Sequence, residues 1–281
     1  MRRLVPVLVA LFAAGCGTAV HKAPPPPAPR PAAVPTPHRH TFPDVGYQRI
    51  ELARLTATHQ PIYCSGGRRR LVALTFDDGP GPYTGLALKE LRRAHAHATF
   101  FLVGRSILRY PGWARREAHG AAVGDHTATH AMLTTLPRGQ MVGEIAAGRR
   151  AVERSAQVPV RIFRPPYGAF DSAITREAAR LGMLEILWSV DSGDSEGGDF
   201  HKIAARVRRA VRPGAIVLFH ENHGQTIRAL RSLLPWLRRH HYRTASVPEL
   251  LAADPPTPAQ LAQGSRACPS ERAAFILGSG G

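Results

Sequence analysis

Two adjacent carboxylates, Asp77 and Asp78, close an apolar run and are followed at once by Gly79-Pro80-Gly81-Pro82. Carboxylates can hold a metal ion or take a proton from water, and the carboxyl ends of strands are where α/β proteins bind ligands. Further along, Gly124-Asp125-His126-Thr127-Ala128-Thr129-His130 supplies two imidazoles at i and i+4, which face the same way if the segment begins a helical turn. That spacing is weak alone, because a chain with 14 His produces such pairs by chance. It gains weight from its place after a strand, on the rim that carries Asp77 and Asp78. One carboxylate and two imidazoles make three ligands with an open fourth position, the pattern of a catalytic zinc site. Three more stretches end strands on the same rim: Phe163-Arg164-Pro165-Pro166-Tyr167-Gly168, Trp188-Ser189-Val190-Asp191-Ser192-Gly193-Asp194 and Ile216-Val217-Leu218-Phe219-His220.

Bringing these stretches together takes a scaffold that lines up strand ends. Apolar or β-branched runs predict strands at Leu71 to Phe76, Ala98 to Val103, Ala121 to Asp125, Val160 to Arg164, Glu185 to Val190, Ala215 to Phe219 and Tyr242 to Ser246. Helical patterns lie between them near Gly85 to Ala94, Ser106 to His119, Pro137 to Gln157, Ser172 to Leu181, Phe200 to Val211 and Thr226 to His240. Strict alternation implies parallel strands joined by crossover helices. Residues 71–252 are therefore expected to form a single α/β catalytic domain, a small or incomplete (β/α) barrel of about seven strands. An open doubly wound sheet is the alternative.

The flanks differ in kind. Met1-Arg2-Arg3 and the apolar run from Leu4 to Ala14 have the form of a secretory signal over 1–16, too short to span a bilayer. Ala13-Ala14-Gly15-Cys16 resembles a lipobox, which would make Cys16 the lipidated amino terminus; cleavage by an ordinary signal peptidase is the alternative. Residues 17–43 are rich in Pro and Ala and read as an extended spacer, 44–70 as an extension of the domain, and 253–281 as a tail tied back only through Cys268. In an oxidising compartment Cys64 and Cys268 are an even pair that can form a disulfide; two separate buried thiols are the alternative.

The formal charge is +17, and Lys22, Lys89 and Lys202 are the only lysines. The arginines come as doublets within helical segments, which suits solvated faces better than one nucleic-acid groove. No nucleic-acid partner is expected; an exported chain of this charge would meet anionic wall polymers or a membrane surface. A monomer is expected.

Taken in order, the five rim segments resemble the five motifs of the polysaccharide deacetylases of carbohydrate esterase family 4, the NodB homology domain, over about Leu71 to Leu251. The resemblance implies a distorted (β/α) barrel. It implies that Asp78, His126 and His130 hold a divalent metal, zinc before cobalt, nickel or manganese, with Asp77 as general base. Arg164 would orient that base, the backbone N–H of Tyr167 would donate to the oxyanion, and His220 would protonate the departing amine, held and tuned by Asp191. Leu218 would line the pocket for the acetyl methyl, with Tyr167 and Trp188 also among the substrate-binding residues. Two positions depart from the pattern: Ser195 follows Asp194 where the family commonly has Trp, and Glu221 follows His220 where Asp is frequent.

The implied activity is hydrolysis of N-acetyl groups on an extracellular amino-sugar polymer, with peptidoglycan the nearest substrate and chitin-type oligomers next. An O-acetyl esterase acting on a polymer such as acetylated xylan uses the same chemistry. A catalytically silent glycan-binding module and an arginine-rich adhesin for anionic polymers are the readings from other classes. The expected location is the extracellular face of the cell membrane, anchored through Cys16, or the secreted fraction.

Overall fold

The structure is a computed structural model that describes residues 42–268. The expected signal peptide, Cys16, all but the last two residues of the spacer and the tail beyond Cys268 lie outside the described residues. Among these residues eight strands form one sheet: β1 (Leu71–Gly79), β2 (Thr99–Leu102), β3 (Ala122–Asp125), β4 (Ile162–Phe163), β5 (Leu184–Glu185), β6 (Val190–Asp191), β7 (Ile216–His220) and β8 (Arg243–Ala245). All pairings are parallel, in the order β5-β4-β3-β2-β1-β7-β6. β8 pairs with Leu71 to Ala73 on the edge that β2 takes further along β1. The sheet curls into a half-barrel, the incomplete barrel that the alternation of segments predicts.

Among the described residues ten α-helices pack against it: α1 (Val45–Thr56), α2 (Thr84–Arg93), α3 (Gly104–Arg109), α4 (Trp113–Ala118), α5 (Arg138–Ala156), α6 (Ser172–Arg180), α7 (Phe200–Ala210), α8 (Gly224–Arg239), α9 (Val247–Ala253) and α10 (Pro258–Gln263). Successive strand residues point to opposite faces, and β1 shows what each face is for. Val72, Leu74 and Phe76 point outward into the core beneath the helices, where Phe76 stacks between Phe100 and Phe219 at 5.1 and 5.4 Å. Leu71 and Ala73 point inward and join Phe101, Ile162 and Ile216. Leu52 and Leu55 of α1 and Val247, Leu250 and Leu251 of α9 pack into this inner cluster, so the two helices plug the barrel at the amino ends of its strands. Thr75 and Asp77 follow on the same inward face and carry it from apolar to polar towards the rim.

Three expectations need correction. The helix expected over Ser106 to His119 is two helices, α3 and α4, parted at Tyr110-Pro111-Gly112, where Gly112 takes a left-handed φ of 81°. The strand expected over Glu185 to Val190 divides into β5 and β6, because the carbonyls of Ile186 and Leu187 accept from the Arg164 side chain as the chain crosses from one side of the barrel to the other. The tail is not tied back by Cys268 alone. Asp254 is buried and accepts from the Arg68 and Arg69 backbone N–H groups and the Arg68 guanidinium, and Gln260 of α10 donates to the Ser65 carbonyl.

Cys64 and Cys268 form a disulfide with Cα atoms 5.9 Å apart across a sequence separation of 204. Ile62 bridges to Ile186 and Cys64 to Ala215, so this amino-terminal segment spans part of the opening between the two edges of the sheet. A bond closing so long a loop removes much unfolded-state entropy, with an upper value of about 5 kcal/mol in the loop-entropy model. Cys268→Ser is expected to lower unfolding stability by about 2–5 kcal/mol in urea titrations, and reductant is expected to have the same effect on the unmodified chain.

Candidate active site

The rim begins with a break in strand regularity. Asp77 pairs with His220 across β1 and β7 and points inward, so its neighbour should point outward. Asp78 instead takes a φ of 73°, and the ladder to β2 shifts between Phe76 and Gly79. A left-handed non-glycine residue costs on the order of 1–2 kcal/mol, and here it turns both carboxylates towards one side. His126 Nε2 lies 3.7 Å from Asp77 Oδ2 and 3.6 Å from Asp78 Oδ1.

The two histidines meet through a loop, not through the helical turn that their spacing suggests. Thr127 and His130 adopt φ values of 68° and 63°. The Asp125 carboxylate accepts from the Thr127 N–H, the Thr127 hydroxyl accepts from the His130 N–H, and the Glu144 carboxylate accepts from the Thr129 N–H and hydroxyl. Gly148 of α5 lets the helix lie against this loop, since a Cβ there would clash with Asp125 Oδ1 and meet Thr127 Cα at 2.7 Å. The same helix carries Gly139 and Gly143, which face open space, so the sequence alone does not single out Gly148.

His130 Nε2 lies 3.1 Å from Asp78 Oδ1, and the ligand atoms of Asp78, His126 and His130 all lie within 4.8 Å of one another. The donor chemistry fits a divalent cation. His126 Nδ1 is 2.7 Å from the Arg164 carbonyl, which can only accept, so Nδ1 carries the proton and Nε2 presents its lone pair to the site. Burial pushes the His126 pKa down, against the pull of the Asp77 and Asp78 charges, and this favours the neutral ligand form. Burial raises the Asp78 pKa, but the hydrogen bond to His130 and the nearby His126, His130 and His220 hold it well below the usual carboxylate range.

Arg164 is fully buried. Its guanidinium donates to Asp77 Oδ1 at 2.7 Å, the Thr75 hydroxyl at 2.8 Å, the Ile186 carbonyl at 3.1 Å and the Leu187 carbonyl at 3.0 Å. It lies 4.2 Å from the Phe101 ring centroid. One oxygen of Asp77 is thereby fixed, and the other faces the histidines.

His220 brings the main correction at the site. Its imidazole is held by Asp194, not by Asp191: Nδ1 lies 2.7 Å from Asp194 Oδ1, and Asp194 Oδ2 accepts from the His220 backbone N–H at 2.7 Å and the Thr226 hydroxyl at 2.6 Å. Asp191, three residues earlier, shapes the turn by accepting from the Gly193 N–H. Both carboxylates lie in the same rim segment, and only the path of that turn chooses between them. Burial pushes the His220 pKa down, but Asp194, Asp77 and Asp78 outweigh it and raise it to about 9. Glu221, fully buried, accepts from the Thr84 hydroxyl and occupies the space where a Gly79 side chain would stand. Burial, with the nearby Asp78 and Asp77 charges, raises its pKa.

The remaining expected residues also line the rim. Tyr167 takes a φ of 61°, is 62% exposed, and sets its ring 4.7 Å from that of His130. Trp188 packs over Gly168, and Leu218 shares the inward face of β7 with His220. Ser195 is exposed in the turn after Asp194. Sequence reasoning missed Asn222, whose amide donates to Asp78 Oδ2 at 3.4 Å, and His223, whose ring is 5.9 Å from His220.

This half-barrel and rim define a class. The family model for polysaccharide deacetylase matches residues 65–186. The chain is 34% identical to a chitooligosaccharide deacetylase of a Bradyrhizobium strain over 64% of this chain and 90% of that one. It is 33% identical to a peptidoglycan-N-acetylglucosamine deacetylase of Bacillus cereus over 65% of this chain and 88% of that one. The chain belongs to the polysaccharide deacetylase family, carbohydrate esterase family 4. Among solved structures it resembles a pseudoenzyme of this family from Bacillus anthracis, with a TM-score of 0.65 and 30% identity over 68% of each chain.

Three substitutions probe the construction of the site. Asp194→Asn is expected to lower kcat about a hundredfold and to move the alkaline limb of the pH–rate profile to lower pH, because the carboxylate that raises the His220 pKa is gone while burial still lowers it. Asp191→Asn should stay within about twofold of the unmodified enzyme. Alanine favours a helix over glycine by roughly 1 kcal/mol, yet Gly148→Ala is expected to weaken any divalent-cation binding at this site about tenfold or more in calorimetric titration, by displacing the Asp125–His130 loop.

Proposed function

We propose that this protein is a metal-dependent N-deacetylase that hydrolyses acetamido groups of an amino-sugar polymer, with peptidoglycan as substrate, and releases acetate. The observation that carries the reading is that two oriented proton-transfer pairs, Arg164–Asp77 and Asp194–His220, flank one three-ligand site. A silent binding module needs neither pair, and this argues against that reading although a family pseudoenzyme shares the fold. The substrate class rests on relatives named for N-acetylglucosamine polymers, and the Bacillus cereus relative favours peptidoglycan.

Asp78 Oδ1, His126 Nε2 and His130 Nε2 would hold the cation, with zinc favoured by the mixed imidazole and carboxylate set. When bound, it supplies Lewis acidity to the water and to the acetamide carbonyl. Asp77, with one oxygen fixed by Arg164, takes the water proton through the other as the water adds to the carbonyl carbon. The backbone N–H of Tyr167 donates to the developing oxyanion. His220, with Nδ1 held by Asp194, delivers a proton from Nε2 to the sugar nitrogen as the C–N bond breaks, leaving acetate and a free amine. Leu218 bounds the space for the methyl, and Tyr167 and Trp188 offer aromatic surface to the sugar rings.

The expected location is the outer face of the cell membrane, with the domain carried on the Pro-rich segment behind Cys16. Acetate release from peptidoglycan and from N-acetylglucosamine oligomers, after chelation and zinc restoration, tests the activity. Zinc-restored release from both is expected, faster from peptidoglycan, with a loss of about a thousandfold or more in Asp77→Asn. Release from acetylated xylan alone would move the assignment to an O-acetyl esterase. No release from a folded, zinc-loaded chain would move it to the silent module.

A further inference from the structure

The face of the domain opposite the catalytic rim is built differently from the rest. In a parallel β/α sheet the carboxyl ends of the helices gather at the amino ends of the strands. The arginine doublets Arg92-Arg93, Arg208-Arg209 and Arg238-Arg239 occupy the last turns of α2, α7 and α8. Cations at those positions complement the helix dipoles, but one in each turn would suffice. The three helices lie side by side, α8 between α2 and α7. Arg93 and Arg238 line one groove between α2 and α8, Arg208 donates to the Ser232 carbonyl, and Arg70 donates to the His240 carbonyl and covers the Tyr242 ring. Arg92, Arg93, Arg209, Arg238 and Arg239 are exposed, and none is in an ion pair among the described residues. Doublets that look scattered in the sequence thus form one basic face.

The same face carries apolar side chains in water. Of the eight exposed large hydrophobic residues among the described residues, three stand on α1: Val45 at 69%, Ile50 at 67% and Tyr47 at 48% exposed. A groove of about 640 Å³ lies between α1 and the starts of β2, β3 and β4, lined by Val45, Leu52, Ala98, Ala122 and Ile162, with Arg49 and Arg161 at its side. Phe42, where the described chain enters the domain, packs 5.2 Å from His97 and lies under Arg243 on this side. Charge alone would fit any polyanion. Exposed Val45, Tyr47 and Ile50 beside the arginines fit a partner that offers anionic groups over an apolar layer. Among the described residues no helix is long and apolar enough to cross a membrane, so the contact is interfacial.

We propose that the face formed by α1 and the carboxyl ends of α2, α7 and α8 rests on an anionic lipid surface and points the catalytic rim away from it. From Arg70 to Asp78 along β1 is about 25 Å, several times the distance over which salt screens charge, so the face acts on location and not on the chemistry of the rim.

The test is partitioning of the full chain onto phosphatidylcholine vesicles with and without phosphatidylglycerol, at low and physiological salt. It compares the unmodified chain with a variant in which Arg92, Arg93, Arg209, Arg238 and Arg239 are all replaced by Gln, and with a Val45→Ser, Ile50→Ser variant. The amino-terminal segment is common to all three and cancels. Each basic side chain near such a surface contributes about fivefold in affinity, the equivalent of ~1 kcal/mol. The arginine variant is expected to bind phosphatidylglycerol vesicles at least a hundredfold less tightly and to lose most of its salt dependence, with unchanged turnover of soluble oligomers confirming its fold. The Val45, Ile50 variant is expected to lose about tenfold with its salt dependence kept. Equal binding of the unmodified chain and the arginine variant would overturn the proposal. So would arginine-dependent binding confined to a soluble polyglycerol phosphate, which would assign the face to a wall polymer.

Discussion

A guanidinium sealed from water must find its counter-charge and its acceptors within the protein, and the rim is arranged around that demand. Arg164 meets it with the Asp77 carboxylate, the Thr75 hydroxyl and the carbonyls of Ile186 and Leu187. Those partners come from β1 and from the chain between β5 and β6, so one side chain fastens the two sides of the half-barrel together above its apolar interior. The carbonyl of the same residue fixes the tautomer of His126. Removing the guanidinium would therefore leave Asp77 buried without its cation and two carbonyls without donors, on top of any effect on chemistry.

The two ends of the barrel divide the work. At the amino ends of the strands, α1 and α9 fill the interior with Leu52, Leu55, Val247, Leu250 and Leu251. At the carboxyl ends the polar side chains need irregular backbone to converge. Asp78, Thr127, His130 and Tyr167 all have positive φ, and all stand on or beside the proposed metal and oxyanion positions. Such conformations persist only where the surroundings over-determine them, and the hydrogen bonds of Asp125, Thr127 and Glu144 do so for the histidine loop.

Much of this was legible in the chain. Alternating runs placed six of the seven expected strands close to where they form, and the double carboxylate, the paired histidines and the late strand ending in His220 marked the rim. What was not legible depended on backbone path. Spacing alone made His126 and His130 a helical pair, because i and i+4 fits a helix, whereas a loop with two left-handed residues achieves the same convergence. Asp191 and Asp194 are chemically alike, and the turn at Gly193, with its φ of 67°, decides which of them meets His220. The α1 and α9 plug escaped because its apolar positions gain meaning only against the inner face of the barrel.

The proposed mechanism needs a division of labour between neighbouring carboxylates, Asp78 as ligand and Asp77 as base. A crystal structure of the zinc-soaked protein, with the ion located by its anomalous signal, tests that division most directly. One ion is expected about 2.0–2.2 Å from an Asp78 oxygen, His126 Nε2 and His130 Nε2, with Asp77 still on Arg164 and outside the coordination sphere. An ion bound through Asp77, or zinc seated elsewhere with these three side chains unligated, would contradict it.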